Sequence, residues 1–176
     1  MARISLDIRK FGLAIVAAVT ATVGLSALSP APASAASGMT IRFAPASNAF
    51  LFVEVNGSST QPGASIIQWP FNGGQNQVWK FQPAGTDYEI VNKWSGLCIT
   101  TDGLAGHWLW QSPCNGSSGQ KWATNLSPGN LIGYSIRNPA SNLYMEVQGA
   151  SGTQGAHIDV WYWNGGSNQY FVGSNA

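Results

Sequence analysis

Beyond residue 38 the apolar residues come in short runs, alternating with polar ones and punctuated by Gly, Asn, Ser and Pro. Thr40-Ile41-Arg42-Phe43, Tyr88-Glu89-Ile90-Val91, Leu97-Cys98-Ile99-Thr100, Tyr134-Ser135-Ile136-Arg137 and His157-Ile158-Asp159-Val160-Trp161 are examples. Runs of this length between turn-forming residues predict many short strands. No stretch keeps the 3.6-residue apolar period that a helix requires. The pattern therefore reads as all-β.

The pattern also repeats. Asn76-Gln77-Val78-Trp79 returns as Gly119-Gln120-Lys121-Trp122 and, altered, as Asn168-Gln169-Tyr170-Phe171, with the glutamines 43 and 49 residues apart. Self-similarity at such a period settles architecture before local propensity does. Aligned on the glutamines without gaps, Trp69 to Gln77, Ser112 to Gln120 and Trp161 to Gln169 correspond. Upstream, Phe52-Val53-Glu54-Val55 matches Tyr144-Met145-Glu146-Val147, and each glutamate precedes its tryptophan by 15 residues. The middle unit has Thr100 in the glutamate's place, 12 residues ahead of Ser112. Units one and three are near-copies, and unit two has drifted. Unit boundaries are expected near 38–83, 84–126 and 127–176.

Residues 1–35 break the pattern. Arg3, Arg9 and Lys10 precede an apolar run from Phe11 to Leu28, and Ala33-Ser34-Ala35 supplies a small-residue cleavage site. This is expected to be a secretory signal peptide, leaving residues 36–176 as one secreted, extracellular domain. In an oxidising compartment the two cysteines, Cys98 and Cys114, are expected to form a disulfide. A loop of about 15 residues closed this way adds roughly 3 kcal/mol in the chain-entropy model.

Charge is scarce beyond residue 35: Arg42, Lys80, Lys93, Lys121 and Arg137 face Glu54, Asp87, Glu89, Asp102, Glu146 and Asp159. No basic field exists to hold nucleic acid or anionic lipid, so neither nucleic-acid partners nor membrane insertion is expected. Each carboxylate, by the same scarcity, is conspicuous. All eight tryptophans lie in this part of the chain, more aromatic surface than one small core needs.

A Gln-x-Trp closing units of this length, with Leu97-Cys98-Ile99 and Cys114 in the middle one, resembles the ricin-B-type lectin domain. The resemblance spans essentially all of residues 36–176. It implies a β-trefoil of three four-stranded units about a pseudo-threefold axis. Two departures stand out: the third phrase ends in Phe171, and only the middle unit has a cysteine pair. In that family an early carboxylate binds sugar hydroxyls, a downstream aromatic stacks on the sugar face, and the polar residue before the glutamine adds a hydrogen bond. The resemblance thus implies a carbohydrate site of Glu146, Trp161 and Asn168 in unit three and one of Glu54, Trp69 and Asn76 in unit one. Asp159, two residues before Trp161 where unit one has Ile67, is an extra candidate contact. Unit two offers only Thr100, Ser112 and Gly119, with Asp102 and Trp110 nearby as a possible remnant.

The chemistry suits sugars. An indole face packs against the polarised C–H face of a pyranose. A carboxylate accepts strong, charge-assisted bonds from neighbouring hydroxyls. An amide both donates and accepts, as a hydroxyl demands. Other roles remain open: solvated strand carboxylates for Glu54 and Glu146, core indoles for Trp69 and Trp161, turn amides for Asn76 and Asn168. Alternation turns both glutamates away from Val53, Val55, Met145 and Val147, which leaves them facing outward. Phe71 and Trp163, aligned with Cys114, are assigned to packing, and Gln77, Gln120, Gln169, Trp79, Trp122 and Phe171 to the fold.

Catalytic motifs are missing: no phosphate-binding glycine loop, no H-E-x-x-H, no G-x-S-x-G. Neither histidine, His107 nor His157, completes a metal-ligand set, so no metal and no cofactor are expected. The reading is a secreted, non-catalytic carbohydrate-binding protein. The alternative is a lectin-like targeting subunit, with a secreted protein partner, in a larger toxin or enzyme assembly.

Overall fold

The computed structural model of the chain describes residues 38–176; the expected signal peptide lies outside them. Unit one contributes β1 (Met39–Pro45), β2 (Leu51–Val55), β3 (Ile66–Pro70) and β4 (Trp79–Ala84). Unit two contributes β5 (Asp87–Asn92), β6 (Cys98–Thr100), β7 (Trp110–Ser112) and β8 (Ala123–Thr124). In unit three the first strand is split into β9 (Ile132–Tyr134) and β10 (Ile136–Asn138), followed by β11 (Leu143–Val147), β12 (Ile158–Trp161) and β13 (Phe171–Asn175). The split falls at Ser135, whose N–H donates to the Asn125 side chain at 3.2 Å.

First and last strands of the units close a barrel. β13, β1, β4 and β5 pair antiparallel in succession, β9 lies on β13, and β10 pairs with β8. Tyr88 and Trp122 exchange backbone hydrogen bonds of 2.9 Å and join β5 to the start of β8. The middle strands form three hairpins, β2–β3, β6–β7 and β11–β12. One backbone bond then recurs three times around the hairpins. Gly63 N–H donates to the Gln111 carbonyl, Gly106 to Val160 and Gly155 to Gln68, each at 2.8 Å. This architecture is a β-trefoil.

The repeated phrase places its parts as the sequence suggests. Trp79, Trp122 and Phe171 are fully buried in one core with Phe43, whose ring meets those of Trp79, Phe81 and Phe171 edge-on at 5.5–6.2 Å. The indole N–H groups reach the Val53 and Ile99 carbonyls at 2.9 and 3.2 Å, so burial strands neither indole nitrogen. Each glutamine folds its own loop: Gln77, Gln120 and Gln169 accept from Asn72, Asn115 and Asn164 N–H and donate to the Pro70, Pro113 and Tyr162 carbonyls.

Cys98 and Cys114 form the expected disulfide. At the equivalent positions of the other units stand aromatic pairs, Phe52 on Phe71 at 5.6 Å and Tyr144 on Trp163 at 4.6 Å. Phe71 and Trp163 do pack, but on the surface: they remain 60% and 44% exposed. A tilted ring pair thus pins the same loop that the disulfide pins in unit two.

Candidate functional site

On unit three, Glu146, Asp159, Trp161 and Asn168 converge on a pocket of about 430 Å³. β11 and β12 set Glu146 directly opposite Asp159, so both side chains leave the same face. Trp161 ends β12 with its ring 41% exposed. Its edge rests on Gly106 of unit two, where an added Cβ would stand 3.0 Å from the indole. Gly106 also has φ +80°, a backbone that favours glycine. Gln148-Gly149-Ala150, a tight turn held in left-handed geometry at Gly149 and Ala150, lines the pocket as well.

The carboxylates are not outward-facing. Alternation does direct Glu54 and Glu146 away from the core valines, yet both are buried, because the loop carrying the repeated glutamine folds over that face. Glu146 Oε2 accepts from Gln169 at 2.7 Å; Glu54 Oε2 accepts from Gln77, Asn72 and Asn76 at 2.8, 2.9 and 3.1 Å. The phrase glutamines therefore orient the acids as well as the loops, a role the sequence reading had confined to the fold. Burial raises the pKa of both glutamates, opposed most by the bonds from Gln77 and Gln169 respectively.

Asp159 is the most perturbed of the acids. It is 2% exposed, and its Oδ1 has no hydrogen-bond partner among the described residues. Burial, with the Glu146 charge alongside, pushes its pKa up to about 7. A buried polar atom without a partner is costly. The residue lines the pocket, with this oxygen turned into the protein.

The asparagines sit differently from expectation. Asn168 lines the unit-three pocket but is buried and donates to the Val147 carbonyl at 3.2 Å, while Asn76 donates to Glu54. The exposed pocket amide is Asn164, which the sequence reading did not select. It caps its own turn through Gly166 N–H at 2.7 Å. Its equivalent, Asn72, caps its turn the same way through Gly74 N–H at 2.7 Å and also donates to Glu54. Gln148, Gly106 and Asn164 could have been found only by knowing which loops meet at the seam between units.

Unit one repeats the arrangement in weaker form. Trp69 is 36% exposed and rests on Gly155 of unit three, whose added Cβ would meet the indole at 3.5 Å. Ile67 stands opposite Glu54, so the second acid is missing. In unit two the region has closed up. Thr100 and Ser112 bond each other at 2.7 Å, and Gln120 donates to both. A side chain at Gly119 would collide with the Thr101 carbonyl oxygen. Among the described residues no cluster of three His, Cys, Asp or Glu side chains is placed to hold a metal ion.

Known proteins share this architecture. A designed three-fold symmetric protein, ThreeFoil, is 23% identical with a TM-score of 0.69, over 78% of this chain and 99% of its own. The ricin B-like lectin of Macrolepiota procera, solved with lactose, is 21% identical with a TM-score of 0.67, over 80% of this chain and 97% of its own. An exo-beta-1,3-galactanase from Clostridium thermocellum is 25% identical with a TM-score of 0.71, over 78% of this chain but only 30% of its own. No curated protein matches the chain in sequence. The model of the ricin-type beta-trefoil lectin domain-like family matches in three overlapping stretches, residues 32–107, 88–161 and 118–175. The chain belongs to that family.

Proposed function

We propose that this chain is a secreted, non-catalytic lectin that binds the neutral sugars of a glycan or polysaccharide through unit three, with unit one as a second, weaker site. The observation that carries this reading is the unit-three pocket, with two buried acids on its floor and a half-open indole as its side. A pyranose laid against Trp161 would offer hydroxyls to Asp159, to Glu146 and to Asn164. The acids lie side by side on paired strands, on one side of such a ring. A glycosidase needs its two carboxyl groups flanking the scissile bond. Binding without cleavage fits the geometry.

A shallow pocket of this kind binds a single sugar with Kd of about 1 mM, about 4 kcal/mol. Two pockets on one polymer raise apparent affinity by about 10²–10⁴ when geometry lets both engage. The test is a glycan array on residues 36–176, run with Trp161→Ala and Trp69→Ala. Trp161→Ala is expected to remove most of the signal and Trp69→Ala a smaller part; full signal from Trp161→Ala overturns the assignment to unit three. The likeness to a segment of the galactanase favours a second reading, a targeting subunit of a larger secreted assembly. A monomer that elutes alone from size exclusion of culture medium counts against it.

A further inference from the structure

The unit-three pocket does not end at Gly106. The same glycine lines a neighbouring depression of about 360 Å³, with Asp102, His107, Trp108 and Trp110 of unit two around it. Trp108 pairs with Asp159 from the side of β12 opposite Glu146, so Glu146, Asp159 and Trp108 form one row across a single face. Trp110, two residues on, keeps to that face.

Trp108 is built as a platform. One face of its indole lies flat on the His157 imidazole, with ring centroids 3.5 Å apart and planes 7° from parallel. Its Nε1 donates to Gln148 Oε1 at 3.0 Å, and Gln148 is itself a wall of the first pocket. The residue is nevertheless 50% exposed. Exposing half an indole forfeits hydrophobic free energy that burial would gain, while two partners, His157 and Gln148, hold the ring at a fixed tilt. Beside it, Asp102 Oδ2 and His107 Nδ1 stand 2.8 Å apart, and Asp102 Oδ1 accepts from Leu104 N–H. Both side chains stay open to solvent. A flat ring with a pre-oriented carboxylate and imidazole at its edge is again a surface for a pyranose with neighbouring hydroxyls.

We infer that the two depressions form one groove, in which Asp102, His107, Trp108 and Trp110 make a second subsite for the next neutral sugar of an oligosaccharide whose first sugar occupies the unit-three pocket. The inference rests on the lectin reading above. It explains why unit two, having lost the acid, the tryptophan and the asparagine of its sisters, carries an exposed tryptophan on the side facing unit three. Unit two has become an extension of its neighbour's site. Recognition would then depend on a disaccharide and its linkage, since the groove fixes the angle between two rings.

The probes are the mono-, di- and trisaccharides of galactose, glucose, xylose, mannose and N-acetylhexosamine, titrated by tryptophan-indole NMR shifts after an array selects the sugar. Wild type is expected to bind the di- or trisaccharide about tenfold more tightly than the monosaccharide. Trp108→Ala and Asp102→Ala are each expected to erase that ratio, and Trp108→Phe to restore most of it. Equal wild-type affinity for short and long sugars overturns the subsite, as does a ratio that survives both alanine variants. So does a Trp108→Ala loss that falls equally on monosaccharide and oligosaccharide, which would mean that Trp108 acts only by bracing Gln148. An array on which wild type binds nothing overturns the lectin reading itself, a failure distinct from that of the subsite.

Discussion

Replacing Asp159 by Asn should make the protein more stable and the pocket worse. In the folded chain the Asp159 carboxyl holds its proton up to about pH 7, whereas a carboxyl in the unfolded chain releases it near 3.8. Over that interval the unfolded chain binds fewer protons, so stability falls as pH rises from about 4 to about 7 and levels off above. The separation of the two values sets an upper bound of about 4 kcal/mol on the loss. Its cause is geometric: a carboxylate sealed from water, directly opposite Glu146 on the paired strand, with one oxygen unpartnered. An asparagine removes the charge at nearly constant volume. Urea denaturation between pH 4.5 and 8.5 should give a wild-type profile that declines toward neutrality and an Asp159→Asn profile that declines less, since Glu54 and Glu146 still titrate with raised pKa values. The curves should meet near pH 4.5 and stand 1–4 kcal/mol apart at pH 8, to order of magnitude. Sugar affinity at pH 8 should fall about tenfold, because the charge-assisted acceptor is gone. Parallel profiles would refute the argument by showing that Asp159 titrates alike in the folded and unfolded chain, and a variant less stable than wild type at pH 8 would refute it by showing that the anion is stabilised.

Two further outcomes test the architecture around the pocket. Gly106→Ala places a non-glycine residue at φ +80° and a Cβ against Trp161; it should cost about 1–2 kcal/mol in thermal denaturation and weaken binding at unit three. Gly155→Ala, at φ +81° with a looser contact to Trp69, should cost about the same while sparing that site. Opening the disulfide with Cys98→Ala and Cys114→Ala together should remove about 2–4 kcal/mol by calorimetry. Binding at unit three, whose loop is pinned by Tyr144 and Trp163 instead, should persist.

Much of this was legible in the residues because the fold is written three times. The repeated glutamine phrase announced the trefoil, and the near-identity of units one and three marked positions 54, 69, 146 and 161 before any coordinates. Comparing units also singled out Asp159, since Ile67 is what a purely structural residue looks like at that place. Depth was not legible. Strand alternation gives the side on which Glu146 lies but not whether a loop later closes over it, as the loop ending in Gln169 does. Asn168 and Asn164 are four residues apart and chemically identical, and only the path of the turn decides which one faces the pocket. Trp108 and Gly106 belong to unit two by sequence and to unit three's surroundings by contact, a relation no single repeat contains.

The ring of glycine ties bears on how such a protein can arise and be altered. Because each stacking tryptophan leans on the following or preceding copy, a lone forty-residue module would carry the right residues and still own no complete recognition surface. On the proposed lectin reading, a site would be complete only once the copies meet, and a permuted chain cut between copies should keep the three glycine ties.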